Sequence, residues 1–488
     1  MLCLSLLIIG LDNTVLNVAL PTLQRDLDAS AADLQWVVDG YTLAVAGLLL
    51  TAGSWGDAFG RKRALDIGLL VFGAASAWGA FCTTPWQLIT ARTLMGVGGA
   101  LIMPSTLSIL TSIFTSTAER RRAIGIWAGV SGLGVAIGPA LGGWLLEHFW
   151  WGTVLLINLP IVVIALVAGA ALMPESRSPA GGHLDLPGAL LSIGGLVALV
   201  GAIIEAPDSG WTDPRVLAAF GAAAVLLAGF AWWELRTAHP MLDIRFFRDT
   251  RFSAAAGSVT LVFFALFGSV FFLSIYLQAV LGYDPLAAGL RLVPVAAGLA
   301  AGAPLAMWAA QRVGEKIPAV TGLVTLAAGL YVLSGTTVDS GYGRTVGVLT
   351  LIGFGMSATM APATEAVMGA LPRSRAGVGS AVNDTTRQVG GALGVAVLGS
   401  ILNSVYTGRM TDPPVALRPD AAAAAADNVQ AALAVSATLP APAGQELAAA
   451  AREAFVAAMH TTVLAGAVIV VLGAVAAALW LPHHGRDT

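Results

Sequence analysis

The chain has 488 residues, of which 57% are hydrophobic and only 11% charged, with a formal net charge of −3. A mean hydropathy of +0.81 at this length excludes a water-soluble domain, which would leave far too much apolar surface against water. The basic residues are scattered among loops and form no face for nucleic acid. Cys3 and Cys82 are the only cysteines, and they fall at opposite ends of their apolar runs. They therefore predict neither a disulfide nor a metal site.

Apolar runs of roughly 18 to 25 residues, enough to cross a hydrocarbon core, recur along the chain. They lie near 2–21, 34–54, 65–82, 87–112, 123–146, 152–172, 186–205, 214–235, 253–277, 287–309, 318–335, 345–370, 378–403 and 460–481. The expectation is an all-α polytopic membrane protein with about fourteen transmembrane helices. The first run lacks a basic leader and carries Asp12 and Asn17, so it reads as a mature span and not as a signal peptide. Because it begins at residue 1 without a polar tail, the start site is expected to be misassigned or the tail unusually short. If the Gly53–Leu65 turn is cytoplasmic, about 16 of the basic residues fall inside and about 6 outside, which predicts both termini in the cytoplasm.

Polar residues inside the first run, LDNTVLNVALP, include Asp12, Asn13, Thr14 and Asn17. A charged acid at that depth costs a few kcal/mol, which points to function. The alternative is a protonated acid that hydrogen-bonds between helices as packing glue. Asp39 and Tyr41, near the outer end of the second run, suggest either a polar pocket or a vestibule-facing acid. The turn GSWGDAFGRKRAL follows. In it Gly53, Gly56 and Gly60 permit close approach or positive φ, Asp57 offers a carboxylate, and Arg61, Lys62 and Arg63 supply cytoplasmic charge. Asp57 is expected to dock on the N-terminus of the helix that opens near Gly377–Ser380, where free N–H groups favour an anion.

Arg92 lies inside the fourth run, ahead of Gly96, Gly98 and Gly99, and an obligate cation at that position requires an acid or a polar cage. In the fifth run Gly134, Gly138 and Gly142 share one face and Pro139 bends the helix. That pattern gives a close-packed hinge or simply a helix-packing motif. The thirteenth run opens with Asn383, Asp384, Arg387 and Gln388. Asp384 and Arg387 can pair at i, i+3, which would keep the acid ionised and unable to carry a proton. Glu205 and Glu365, near span ends, are expected to be solvated.

An internal repeat appears when LMGVGGALIMPSTLSIL, from Leu94, is laid over LIGFGMSATMAPATEAV, from Leu351. A weaker echo of the Gly53 turn, with Arg312, Gly314 and Lys316 but no match to Asp57, lies in APLAMWAAQRVGEK. The predicted organisation is a six-helix bundle over 1–180, a two-helix transmembrane linker over 181–240, and a second six-helix bundle over 241–488. The last includes an alanine-rich extracellular loop over 404–459 with short helices. Repeats of this kind build rocking-bundle transporters.

These motifs resemble the major facilitator superfamily. The Gly53 turn meets its G-x-x-x-D-x-x-G-R-[RK] pattern, and LDNTVLNVALP meets L-D-x-T-[IV]-x-N-V-A-L-P of the fourteen-helix drug:proton antiporter branch. Arg92 opens an R-x-x-x-G-x-G-x-A motif, and Gly134–Gly143 meets the G-x-x-x-G-P-x-x-G-G pattern that exporters carry and importers generally lack. Asn383–Gln388 meets N-x-[TS]-x-R-Q, but Asp384 stands where many members have a neutral residue, which leaves its role open. The resemblance implies the major facilitator fold and proton-coupled efflux of amphipathic small molecules such as drugs or antibiotics across the cytoplasmic membrane. It implies that Asp12, Arg92, Asp384 and Asp39 serve proton coupling, with Arg92 biasing a nearby acid or making a purely structural ion pair. Asn13, Asn17, Tyr41, Asn383, Arg387 and Gln388 would line the substrate cavity. Gly53, Asp57, Gly60, Arg61, Gly134, Gly138, Pro139 and Gly142 would gate it. The expected partners are a small-molecule substrate and the lipid bilayer, with no nucleic acid, no cofactor beyond protons, no metal, and a monomeric working unit. No Walker loop or nucleophile elbow occurs, so ATP-driven or enzymatic work has no physical basis. The rival readings are an importer or uniporter on the same fold, and a non-transporting receptor or assembly factor.

Overall fold

The computed structural model describes residues 1–29, 31–114, 116–173, 175–176, 185–238, 240–338 and 342–481. The side chains of Asn17 and Pro139 also lie outside the described residues. Among the described residues the fold is entirely helical. Its first part comprises α1 (Leu2–Asp26), α2 (Ala31–Phe59), α3 (Arg61–Ala80), α4 (Pro85–Ile113), α5 (Thr117–His148), α6 (Thr153–Leu156) and α7 (Asn158–Leu172). A hairpin of α8 (Leu186–Ser209) and α9 (Pro214–Glu234) follows. The remainder is α10 (Thr250–Ile275), α11 (Pro285–Arg291), α12 (Val293–Val313), α13 (Lys316–Leu333), α14 (Tyr342–Gly369), α15 (Ala376–Met410), α16 (Pro419–Asp427), α17 (Val429–Thr438) and α18 (Ala443–Trp480).

Eleven helices among the described residues are long and apolar enough to cross a membrane, or twelve counting α1, which bends by 41° between Leu16 and Val18. The long helices α3 and α5 are less apolar because each opens on charge: Arg61, Lys62 and Arg63 in one, Glu119 to Arg122 in the other. Large apolar side chains such as Leu172, Leu190, Val225 and Leu479 stand exposed on the outside. That surface suits hydrocarbon and not water.

The two ends of the chain pack by one scheme. In the first part α1 packs on α5, and α2 and α3 both pack on α4; in the second α10 packs on α15, and α12 and α13 both pack on α14. The glycines of the sequence repeat occupy matching seams. A methyl on Gly96 would come within 2.6 Å of the Tyr41 carbonyl oxygen on α2, and one on Gly353 would strike the Val295 carbonyl on α12. Gly98 and Gly355 meet α3 and α13 in the same way. Backbone crossings this close leave no room for a side chain. Between the halves the scheme is again reciprocal, α2 against α15 and α5 against α12. The weaker echo also has a backbone counterpart, since Gly60 (φ +126°) and Gly314 (φ +81°) both sit at turns where positive φ is required.

The alanine-rich segment 404–459 is helical over most of its length. Helix α15 runs on to Met410 and α18 already begins at Ala443, so only 411–442, carrying α16 and α17, lies between them. Alanine's helix propensity extends both helices past the apolar stretch that hydropathy detects. The hairpin α8–α9 lies against α2 and α15. The hairpin is tied to α15 through its connecting turn, and the segment after α9 is tied to the head of α15. The Trp211 indole donates to Ser400 Oγ at 3.0 Å, and Arg375, just ahead of α15, donates to the carbonyls of Pro240 (2.5 Å) and Met241 (3.3 Å).

Candidate functional site

Inside the first half Asp12 on α1 and Arg92 on α4 form an ion pair, each side chain 1% exposed. Arg92 Nε also donates to the Val37 carbonyl at 3.3 Å, and its guanidinium lies 4.4 Å over the Tyr41 ring. The second Asp12 oxygen accepts from Asn158 Nδ2 at 3.0 Å, and the same amide donates to Ser76 Oγ at 3.0 Å. Ser76 in turn donates to the Leu155 carbonyl at 2.8 Å. The acid is therefore satisfied on both oxygens by groups from different helices, as burial of a charge demands. Asn158 and Ser76, both fully buried, were not singled out by sequence reasoning; a lone amide inside the sixth apolar run was the available signal. Of the other residues expected here, Tyr41 joins the cluster through its ring, Asn13 is half-buried beside it in sequence, and Asp39 is half-buried on α2.

The seam between α1 and α5 runs alongside. A methyl on Gly134 would come within 2.9 Å of the Leu7 carbonyl, one on Gly138 would strike Thr14, and one on Gly142 would meet the Val15 carbonyl at 3.1 Å. The glycine face of α5 is thus pressed onto the helix that carries Asp12. Any change in the angle between α1 and α5 acts directly on the neighbourhood of the acid.

At the Arg61 end the two halves meet. Asp57 accepts from the backbone N–H of Gly377 at 3.0 Å and of Val378 at 3.1 Å, at the head of α15, where the sequence led us to expect it. Arg61 holds the same carboxylate at 2.7 Å. The approach needs two glycines, because a methyl on Gly53 would lie 2.5 Å from the Gly377 carbonyl oxygen. The turn is closed from the other side, where Glu175 accepts from the Lys62 N–H at 3.1 Å and Ser176 O accepts from the Arg61 N–H at 2.9 Å.

Glu365 corrects the expectation of a solvated acid. It is 1% exposed and its carboxylate accepts from Arg120 of α5 at 2.8 Å, a bond that joins the halves. Glu365 lies near the C-terminal end of α14, and that end faces the other half instead of water. Glu205 is exposed as expected. Nearby Glu315 accepts from Arg251 at 2.7 Å and lies 3.5 Å from Arg121 of α5. Each half thus offers an acid to the opening turn of a fifth-position helix in the other: Asp57 to α15, Glu315 and Glu365 to α5.

A second buried acid occupies α15. Asp384 pairs with Arg387 one turn along, Nη1 to Oδ1 3.2 Å, with side-chain exposures of 0% and 7%. The Arg387 guanidinium lies over the Phe263 ring of α10 at 4.6 Å and faces the Trp127 ring of α5 at 5.3 Å. Trp127 donates to Thr106 at 3.2 Å, and Asn383 accepts from Thr364 at 3.2 Å. Gln388 is half-buried. Asp12 and Asp384 therefore belong to two separate clusters in different halves.

The Major Facilitator Superfamily model matches residues 2–395. The chain is 38% identical over 478 residues, 97% of its own length and 94% of the relative's, to "Multidrug efflux pump LfrA" of Mycolicibacterium smegmatis. It is 36% identical over 82% of its length, and 74% of the relative's, to "Tetracenomycin C resistance and export protein" of Streptomyces glaucescens. Among solved structures the human organic anion transporter MFSD10 shares the fold at 13% identity, with a TM-score of 0.62 over 96% of this chain and 97% of that one. With a family model across most of its length and a relative at 38% identity matched over 97% of it, the chain belongs to the Major Facilitator Superfamily, a family of transporters and not of enzymes.

Proposed function

We propose that the chain exports amphipathic small molecules, drugs or antibiotics among them, across the cytoplasmic membrane in exchange for protons. Similarity to relatives named as efflux and export proteins supports the direction. All fourteen long helices would span the membrane: six in 1–180, two in the linker 181–240 and six in 241–488. Both termini would lie in the cytoplasm, as the basic Arg61 turn suggests. The working unit would be a monomer.

The observation that carries the coupling is the Asp12–Arg92 pair, whose partners sit on separate helices. A proton and a guanidinium compete for one carboxylate oxygen, so helix motion that withdraws Arg92 hands the oxygen to a proton, and its return expels the proton. Asp57, Glu315 and Glu365 would latch the cytoplasmic ends of the halves while the outer side exchanges. One proton falling through about 100 mV and one pH unit releases roughly 3.7 kcal/mol, enough for a neutral solute gradient of a few hundredfold. The test is efflux from proteoliposomes with an imposed ΔpH. Solute should move against the proton flow in wild type, and an unaltered response in Asp12→Asn would refute the assignment.

A further inference from the structure

The foot of the α8–α9 hairpin holds two carboxylates that the coupling pair does not use. Asp185 caps the N-terminus of α8, accepting from the Gly188 N–H at 2.9 Å, and its two oxygens accept from the Trp233 indole of α9 at 2.8 and 2.9 Å. Glu234, the last residue of α9, is 3% exposed and accepts from the Leu242 N–H through Oε2 at 3.0 Å. Its Oε1 has no hydrogen-bond partner among the described residues. That bare oxygen is turned toward Asp185, since a methyl on Gly188 would lie 2.7 Å from Glu234 Oε1 and 2.7 Å from Asp185 Oδ2. Two carboxylates that look into one space, one of them buried, repel when both are charged. A proton on Oε1 satisfies the bare atom and removes the repulsion. The helix poles place that proton on Glu234, because Asp185 stands at the positive end of α8 and Glu234 at the negative end of α9.

We propose that Glu234 and Asp185 form a proton-binding site, separate from the coupling acids, whose occupancy sets how firmly the foot of the hairpin holds the head of α15. The inference rests on the export reading for the side this foot faces, the cytoplasm. Among the described residues the charged groups facing Glu234 are Asp185 of α8 and Arg375 just ahead of α15. Arg375 is occupied by the carbonyls of Pro240 and Met241, in the same short segment whose Leu242 N–H bonds to Glu234. A proton taken from water bonds to Oε1 and leaves a single negative charge on the two acids. When it departs, the carboxylates repel and Arg375 is drawn from the carbonyls toward the new charge, so the tie to α15 loosens. Arg375 stands two residues ahead of Gly377, whose N–H holds Asp57, and the change therefore arrives at the contact between the halves. An acid cytoplasm firms that contact and restrains further proton entry.

The experiment is an infrared titration of the purified full chain in detergent, following the carbonyl band of protonated carboxylic acids against pH. Glu234→Gln keeps the shape of the protonated acid and is expected to remove one titrating carboxyl from the wild-type signal. Asp185→Asn, whose amide oxygen can still cap α8, should make Glu234 need an about tenfold higher proton concentration to protonate. Asp12→Asn should leave the Glu234 signal in place. The link to α15 is read with spin labels at Leu235 and Ser374 in a chain whose Cys3 and Cys82 are replaced by serine. Their separation should lengthen as the pH rises and stay short throughout when Glu234→Gln is added. A titration unchanged by Glu234→Gln, or one in which Asp185→Asn leaves Glu234 as easily protonated as before, overturns the proton site. A separation that ignores pH, or follows it equally with Glu234→Gln, overturns the link to α15. Failure of the export reading would register elsewhere, as absence of ΔpH-driven flux by wild type.

Discussion

Two buried acid–arginine pairs lie in opposite halves of this molecule, and they are wired differently. Asp12 is bonded to Arg92 across α1 and α4, with its second oxygen taken by Asn158 of α7. Asp384 is bonded to Arg387 on the same helix, one turn away, and its second oxygen is bare. Motion between helices must break or remake the first pair, whereas it carries the second along intact and changes only what faces it. An interhelical pair reports conformation; an intrahelical pair presents a preassembled surface. Only the first links helix motion to a change at the acid itself.

The largest effect should come from breaking the interhelical pair. Asp12→Asn is expected to abolish ΔpH-driven efflux, a loss of more than about a hundredfold in proteoliposomes, while bound dye is still detected, because the competition for a carboxylate oxygen is gone but the binding surface is not. Asn158→Ala should come next. It leaves one oxygen of a buried carboxylate unbonded, at a cost of about 1–3 kcal/mol, and should lower the thermal midpoint of the purified protein and displace the pH profile of efflux. A pH profile superimposable on wild type would reduce Asn158 to packing.

Asp57→Asn weakens an anion at a helix N-terminus, worth about 0.3–2 kcal/mol, so transport should fall by severalfold with normal membrane insertion. Wild-type flux would remove the latch. Glu365→Gln should have the smallest effect on its own, about two- to threefold, because Arg120 remains 17% exposed and water can replace the lost partner. Combined with Glu315→Gln it should exceed the product of the single losses, since both acids engage neighbouring arginines at the opening turn of α5. Simple multiplicative losses would mean that the two acids act independently.

Much of this was readable from the chain. The apolar runs predict nearly every long helix because a bilayer demands length and hydropathy together. The Asp57 contact follows from chemistry alone: an acid in a glycine-rich turn needs donors, and the free N–H groups of another helix provide them. Asp12 and Arg92 announce themselves as charges where charge is costly. Neutral partners do not, and so Asn158 and Ser76 stay hidden among many ordinary polar residues. The burial of Glu365 is not legible in the sequence, because hydropathy gives depth along a helix but not direction around it. Within 404–459 hydropathy does not show how far α15 and α18 extend, because a helix can run past its apolar stretch while keeping its hydrogen bonds.

The placement of α8 and α9 bears on how an oily solute could reach the interior. The halves cross along two seams, α2 with α15 and α5 with α12, and the hairpin lies over the first, bound to α15 through Trp211. A compound dissolved in the leaflet would meet that crossing as a roofed wall, which would leave any lateral route to the α5–α12 seam. The molecule, nearly symmetric in its packing, would be one-sided toward the lipid.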